Sequence, residues 1–176
     1  MAGHNKWSKI KHKKAGTDAQ KSKVFGRLAK VLTVESKNCG GDRGSPALKS
    51  AIEQAKAANM PAQNINRAIE RGVGGNAESL ETITYEMYGP GGCALLINAL
   101  TDNKNRTAAE IRHIITKNGY TVGTPGSAAW IFTKQEGRIV PSTTVSLSEA
   151  DAKKLDALVA ELDEQEDTQE ILTNKV

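Results

Sequence analysis

The chain has 176 residues, of which 38% are hydrophobic and 25% charged, a composition typical of globular proteins with one large or two small domains. The net charge of +4 hides an asymmetry: residues 1–75 carry about +10, whereas residues 146–176 carry −6. The longest apolar run, Cys93 to Ile97, is far shorter than a membrane span, and two cysteines without a C-x-x-C pair exclude a disulfide framework. These totals favour a polyanion binder without a membrane partner.

The first residues form a basic arm with almost no apolar periodicity. Five lysines, two histidines and one tryptophan make it a candidate for nucleic-acid binding, because ammonium groups displace counterions from phosphates. Trp7 has two interpretations, stacking on an unpaired base or anchoring the arm by packing. The candidate contacts in the arm are His4, Lys6, Trp7, Lys9, Lys11, His12, Lys13 and Lys14.

A first helix is predicted from the capping pair Thr17 and Gln20 to Gly40, with an apolar stripe of Phe25, Leu28 and Leu32. Its cations fall on the face away from that stripe, which predicts that the charge of the arm continues onto a rigid surface. The candidate contacts on this helix are Lys21, Lys23, Arg27 and Lys30.

Two shorter helices follow. Ser45 and Pro46 begin the second, and Pro61 begins the third, which is predicted to stop at Gly72. On the third helix, Arg67 and Arg71 either extend the phosphate-binding surface or lie on an ordinary solvated face. Residues 72–76, rich in glycine, are interpreted as a hinge rather than a phosphate-binding loop, because they follow a helix and not a strand.

From Glu81 the apolar period changes to two, which predicts a strand, a turn at residues 89–92 and a second strand from Cys93 to Thr101. A helix capped by Asn105, strands at residues 128–133 and 137–140, a helix capped by Ser148, and a strand at residues 168–173 complete the order. From Cys93 this is β-α-β-β-α-β, the ferredoxin-like pattern with both helices on one face of the sheet.

The predicted fold class is therefore α+β. Residues 1–75 are expected to form a basic arm and a three-helix nucleic-acid-binding bundle, and residues 76–176 a ferredoxin-like α/β sandwich lobe. The cation count of the first domain makes nucleic acid the expected partner, and we expect a monomer.

One further candidate site lies where the second strand meets the next helix. Polar side chains and free helix N-terminal amides coincide there, which suits an anion or a base edge, although simple capping explains the same residues. The candidates are Asn103, Asn105 and Arg106.

Catalytic and metal sites are not predicted. The three histidines lack the spacing of metal ligands, and the acidic residues after 149 lack a nucleophile and base arrangement. We therefore expect no cofactor, no metal and no enzymatic activity.

Several of these segments resemble the YebC family, which includes translational activators of cytochrome c oxidase. The resemblance covers residues 1 to about 138 and resumes near Pro141. The matching segments are Met1 to Lys14, Asn66 to Ile69 with Arg71 and Gly72, Tyr85 and Glu86 with Tyr88 to Gly92, Asp102 and Asn103 with Asn105 to Thr107, and Gly126 with Ser127. It implies nucleic-acid binding by the basic helical lobe, in DNA-binding transcriptional regulators or in ribosome-associated factors that relieve stalling.

The chain departs from the family pattern near residues 139–142, where a middle domain is expected and is missing. The motif also begins at Met1, without room for a presequence, which favours a cytoplasmic location over the mitochondrial matrix.

The leading hypothesis is a regulator of gene expression that contacts RNA as a ribosome-associated translation factor. A DNA-binding transcriptional regulatory protein is the alternative, disfavoured because no recognition helix stands out. A nucleic-acid hydrolase is a third hypothesis.

Overall fold

The computed structural model describes residues 18–74, 80–135 and 138–176. These residues belong to two compact units: a helical unit in residues 18–74, and a mixed unit of strands and helices that continues from residue 82 to the C-terminus. The α+β class predicted from the sequence is confirmed.

The helical unit contains helices α1 (Asp18–Asn38), α2 (Pro46–Ala57) and α3 (Ala62–Val73). Helix α1 packs against both of the others. Asn59, in the connection between α2 and α3, has a positive φ of 60°, a conformation that asparagine tolerates better than most side chains. The buried apolar core of the unit consists of Leu28, Leu32, Leu48, Ala51, Ala55, Met60, Ile65, Ala68 and Ile69.

Helices α1 and α3 approach closely at Gly72. A methyl group there would lie 2.5 Å from the Thr33 carbonyl oxygen and 2.7 Å from Ser36 Cβ. The hydroxyl of Ser36 donates to the Ile69 carbonyl at 2.7 Å, and that of Thr33 donates to the Ala68 carbonyl at 3.2 Å. Gly72 was predicted to end the helix and begin a hinge, which is wrong: α3 continues to Val73, and Gly72 is a buried packing residue. Residues 75 and 76 of the predicted hinge lie outside the described residues.

The mixed unit is built on a three-stranded sheet of β1 (Glu81–Tyr88), β2 (Ala94–Thr101) and β5 (Thr168–Thr173), in the order β1-β2-β5. A tight turn joins β1 to β2, with Gly91 and Gly92 at positive φ and the Gly89 amide donating to the Cys93 carbonyl. Strand β5 pairs antiparallel with the other edge of β2.

Helices α4 (Lys104–Lys117) and α5 (Glu149–Glu164) pack on one face of this sheet. Alternation along the strands sends every second side chain toward the helices. The resulting core includes Met87, Leu95, Ile97, Ile111, Ile115, Leu155, Leu158, Leu162 and Ile171. A smaller cluster contains Ala94, Ala128 and Ile131, with Phe132 packed against it.

Strands β3 (Phe132–Gln135) and β4 (Arg138–Pro141) form a separate two-stranded sheet. The ferredoxin-like prediction placed them in the main sheet beside β2, and the described residues do not have that arrangement. Strand β1 takes that edge of β2 instead, because the short turn after Tyr88 pairs consecutive strands. β3 is mostly exposed, and Phe132 at its start is its one half-buried apolar residue. Its predicted first half, residues 129–131, is a 3-10 turn.

A buried carboxylate holds the loop that precedes β3. Glu86 is only 7% exposed, and its side chain accepts hydrogen bonds from the backbone amides of Gly126, Ala128 and Ala129 at 2.7–2.8 Å. Burial works to raise the pKa of Glu86, but these three donors outweigh it and hold the pKa below its ordinary value. The charged form of Glu86 is therefore the one that the fold stabilises.

We expect Gly72→Ala to destabilise the chain by roughly 1–3 kcal/mol, because the added methyl meets a backbone oxygen that cannot rotate away. Gly26→Ala is the matched control: it also lies in a helix, but its added methyl would meet nothing within 4 Å. The control should be neutral or stabilising by up to about 1 kcal/mol. Chemical denaturation followed by circular dichroism measures both, and a Gly72→Ala protein as stable as the wild type would contradict the packing account.

Glu86→Gln should cost roughly 1–3 kcal/mol at pH 7, because the amide group faces backbone N–H groups that need an acceptor. Since the folded pKa is lowered, the contribution of Glu86 is fully present above the ordinary pKa of 4.5 and is lost as the pH falls through the folded pKa. The difference in unfolding free energy between wild type and variant should therefore shrink in acid. Glu149→Gln, at a side chain that is 85% exposed, is the control, and a wild-type advantage that persists in strong acid would contradict this assignment.

Candidate nucleic-acid interface

The eight candidate residues of the basic arm lie outside the described residues. They are His4, Lys6, Trp7, Lys9, Lys11, His12, Lys13 and Lys14. Their role in binding stays a prediction, as does the choice between stacking and packing for Trp7.

The four candidate cations of α1 differ in accessibility. Lys21 is exposed, and Lys23 and Lys30 are half-buried. Arg27 is only 7% exposed, so it does not belong to an open cationic surface as predicted. Helical spacing determines the direction of a side chain but not whether other groups bury it. On α1, Arg27 is the candidate cation that is buried.

Helix α3 presents Arg67 and Arg71 to solvent, one turn apart, while Ile65 and Ile69 are buried on its other side. The division of the helix into these two faces agrees with the sequence pattern. Next to this face, the Arg43 guanidinium donates to Asn66 Oδ1 at 2.9 Å. This hydrogen bond therefore joins the connection between α1 and α2 to the exposed face of α3.

Further exposed cations of this unit were not among the predicted contacts. With the predicted Lys21, Arg67 and Arg71 they form a set that we call the exposed basic set: Lys21, Lys37, Arg43, Lys49, Lys56, Arg67 and Arg71. Only Asp42, Glu53 and Glu70 are exposed acids among residues 20–74. The signal was present in the sequence, since Lys49 and Lys56 lie seven residues apart on α2, away from the buried Leu48 and Ala55.

The exposed basic set makes no ion pair within 4.0 Å among the residues that the structure describes, whereas cations of the mixed unit commonly do. Arg106 bonds Asp102 and Asp167, and the other pairs are Lys117 with Glu161, Lys153 with Glu149, Lys154 with Asp151, and Lys175 with Asp156. Positive charge is thus left available on the helical unit and is largely balanced by neighbouring carboxylates elsewhere.

The N-terminus of α4 is capped by Asn103, and the prediction of Asn105 as the cap is wrong. Asn103 Oδ1 accepts from the Arg106 amide at 3.1 Å, and the helix begins at Lys104. The Asn103 amide in turn donates to Thr101 Oγ1 at 2.9 Å. Asn103 is the cap because this bond holds its backbone in the extended conformation that a cap needs. The cap therefore lies two residues before the predicted position.

Arg106 is engaged by two carboxylates. Its Nη2 lies 2.8 Å from Asp102 Oδ1 and 3.1 Å from Asp167 Oδ2. Both bonds raise the pKa of the guanidinium, and the bond to Asp167 has the larger effect. Asp167 is 1% exposed and also accepts from the Thr107 hydroxyl at 2.6 Å. This arrangement favours the capping interpretation of Asn103 and Arg106, while Asn105 is exposed at the same helix end.

Neither a metal site nor a membrane helix is present in the described part of the chain. Within residues 18–74, 80–135 and 138–176, no three His, Cys, Asp or Glu side chains are grouped so as to hold a metal ion. Among the helices of those ranges, none has the length and apolarity that crossing a bilayer requires.

The structure thus defines a class of protein: an α+β chain with antiparallel strand pairing in one unit and an exposed cationic surface on a helical unit. The model of the TACO1/YebC protein N-terminal domain matches residues 5–75, and that of the TACO1/YebC second and third domain matches residues 80–140. The chain belongs to the TACO1/YebC family.

Relatives support the same assignment. "Probable transcriptional regulatory protein TTE1135" of Caldanaerobacter subterraneus subsp. tengcongensis is 53% identical over 86% of this chain and 63% of its own length. A "Probable transcriptional regulatory protein" of Dictyoglomus turgidum is 45% identical over 99% of this chain and 71% of its own. Against TTE1135 and the relative from Desulforamulus reducens, the chain covers less than two thirds of their length.

A solved structure has the same fold. The conserved hypothetical protein Aq1575 from Aquifex aeolicus superposes with a TM-score of 0.84 at 31% identity, over 97% of this chain and 96% of that one.

Capping and binding at the start of α4 are separable by paired substitutions. Asn103→Ala should cost about 1 kcal/mol of stability, because it removes the acceptor for the Arg106 amide. Asn105→Ala, two residues away and exposed, should stay within about 0.5 kcal/mol of wild type. Thermal unfolding measures stability, and oligonucleotide affinity is measured in parallel. If Asn105→Ala weakens binding without loss of stability, this helix end contacts nucleic acid and the capping interpretation alone is insufficient.

Proposed function

We propose that this chain is a nucleic-acid-binding regulator of gene expression that holds phosphates through its helical unit. The observation that carries the proposal is the exposed basic set, seven cations without an ion pair among the described residues. Lysine and arginine side chains in this state can release counterions from a phosphate backbone, which is the main source of sequence-independent affinity. The relatives named as transcriptional regulatory proteins are consistent with this role.

The finer proposal is that the target is RNA, in a ribosome-associated translation factor. It is supported by the five lysines of the basic arm in the sequence, which suit an irregular polyanionic surface. No catalytic step, cofactor or metal forms part of the proposal. A monomeric state, a cytoplasmic location, and the absence of a middle domain near residues 139–142 stay predictions.

One observation favours DNA as the alternative target. The exposed face of α3 carries Gln63, Arg67 and Arg71, side-chain types that read base edges from a helix in the major groove. The sequence had not singled out such a helix. A binding selection on random duplexes tests the alternative: an enriched motif, lost in Arg67→Ala, would support it, and equal affinity for all duplexes would remove it.

Charge reversal tests the leading proposal. The double variant Arg67→Glu with Arg71→Glu should lose co-sedimentation with ribosomes, because both changes fall in the exposed basic set. The control, Lys153→Glu with Lys154→Glu on α5, alters the net charge equally but at side chains that already pair with acids. Arm changes at Lys9, Lys11, Lys13 and Lys14 to Glu should act like the first variant. Equal loss in the α5 control would show that only total charge matters and would contradict a defined interface.

Salt dependence gives an independent measurement. If about six cations contact phosphates, affinity for RNA should fall by roughly 10³ between 50 and 200 mM salt. Each cation removed should reduce the slope of log K against log salt by roughly 1. An affinity that hardly changes over this range would exclude phosphate contacts as the main source of binding.

A further inference from the structure

Two exposed aromatic side chains of the mixed unit are fixed by the same backbone carbonyl. Trp130 is 66% exposed and Tyr88 is 41% exposed. The indole Nε1 of Trp130 donates to the Ser127 carbonyl at 3.0 Å, and the hydroxyl of Tyr88 donates to the same oxygen at 2.9 Å. Because both polar groups donate to the same oxygen, the polar edges of the two rings lie close together at the surface. We call them the aromatic pair.

The carbonyl that holds the aromatic pair belongs to the loop fixed by Glu86. The amides on either side of Ser127, those of Gly126 and Ala128, donate to the buried Glu86 carboxylate, as does that of Ala129. Strand β1 supplies both Glu86 and Tyr88, so the support for the loop and one of the rings come from the same rigid element. A ligand that covers these rings therefore loses little conformational entropy from the protein, which improves affinity.

The surroundings of the aromatic pair are basic. Lys134 and Arg138 are exposed on the hairpin that begins directly after residue 131, and neither side chain has an ion pair or hydrogen bond among the described residues. Lys134 is four residues beyond Trp130, so their Cα atoms lie at most roughly 13 Å apart. The pairing of Lys134 with Ile139 and of Gln135 with Arg138 directs the two cations to opposite faces of the hairpin. In the sequence from residue 120 to residue 148, the cations Lys134 and Arg138 stand against one acid, Glu136.

We propose that the aromatic pair of Tyr88 and Trp130 is a second nucleic-acid contact, which stacks on unpaired bases of a single strand while Lys134 or Arg138 meets the adjoining phosphates. This rests on the proposed function and deepens it by naming single-stranded segments as the class of ligand. Stacking on aromatic faces tolerates every base, and positive charge beside the rings follows the backbone. Paired bases in a duplex are already stacked inside the helix and do not reach such a surface. The excess of cations over acids in this part of the sequence favours this ligand over an apolar protein partner.

The test uses the full chain and a fluorescein-labelled single-stranded RNA of twelve nucleotides, with fluorescence anisotropy as the measurement. Trp130→Ala should weaken binding roughly tenfold, the loss typical of one stacked base, and Trp130→Phe should recover most of it. Ile139→Ala is the matched control, because Ile139 is 42% exposed, has no aromatic ring and lies on the hairpin that follows Trp130. An abasic strand of equal length and charge should bind wild type and Trp130→Ala alike.

The outcomes separate this inference from the proposed function. If Trp130→Ala binds the RNA as tightly as wild type while Arg67→Glu with Arg71→Glu binds it weakly, only the stacking inference is overturned, and the aromatic pair is left to a protein partner. Equal loss on the abasic strand also overturns stacking. If wild type binds no nucleic acid at all, the proposed function is wrong, and this inference, which rests on it, is wrong as well. Trp130→Leu keeps an apolar side chain at the same place, so it carries the comparison if the alanine variant is unstable.

Discussion

The mixed unit depends on the buried carboxylate of Asp167. It lies between the end of α5 and the start of β5, and its side chain accepts from Thr107 and Arg106 in the first turn of α4. Thr107 also bonds Thr101 at the end of β2, and the Leu100 amide donates to the Asp167 carbonyl. One residue therefore joins the ends of two strands and two helices. A buried charge is tolerated only with such partners, so the network selects one arrangement of the helices on the sheet.

The sequence predicted most of the elements because their signals are local. Ser148 caps α5 by accepting from the Asp151 amide, and β5 spans Thr168–Thr173, both as predicted. The predicted place of β3 and β4 in the main sheet was wrong, since short exposed strands carry little information about which edge they join. The residue pattern also could not choose between Asn103 and Asn105, because either residue suits a cap and the choice depends on the backbone conformation that the bond to Thr101 holds.

Polar residues with tertiary roles were harder to predict than apolar ones. Glu86 stands between buried neighbours in an alternating strand, where period two predicts an outward, solvated side chain. It is buried because three amides from a loop about 40 residues later converge on it, and no local pattern encodes that. The role of Gly72 was also hard to predict. A glycine near the end of a helical pattern usually marks the end of the helix, whereas here its missing side chain lets α1 approach α3. Of the candidate site, the face of α3 followed from helical spacing, and the accessibility of Arg27 did not.

The distribution of ion pairs gives the two units different electrostatic characters. In the mixed unit, carboxylates of α5 neutralise Lys153, Lys154 and Lys175, and similar pairs hold Arg106 and Lys117. The exposed basic set has no such pairs in the described residues, so its charge remains available to phosphates and sensitive to salt. The aromatic pair acts through ring faces, whose stacking does not require ion release. Binding by the helical unit alone should therefore depend on salt and should be similar for single and double strands. Stacking adds a contribution to the affinity that favours single strands and persists when salt screens the charges.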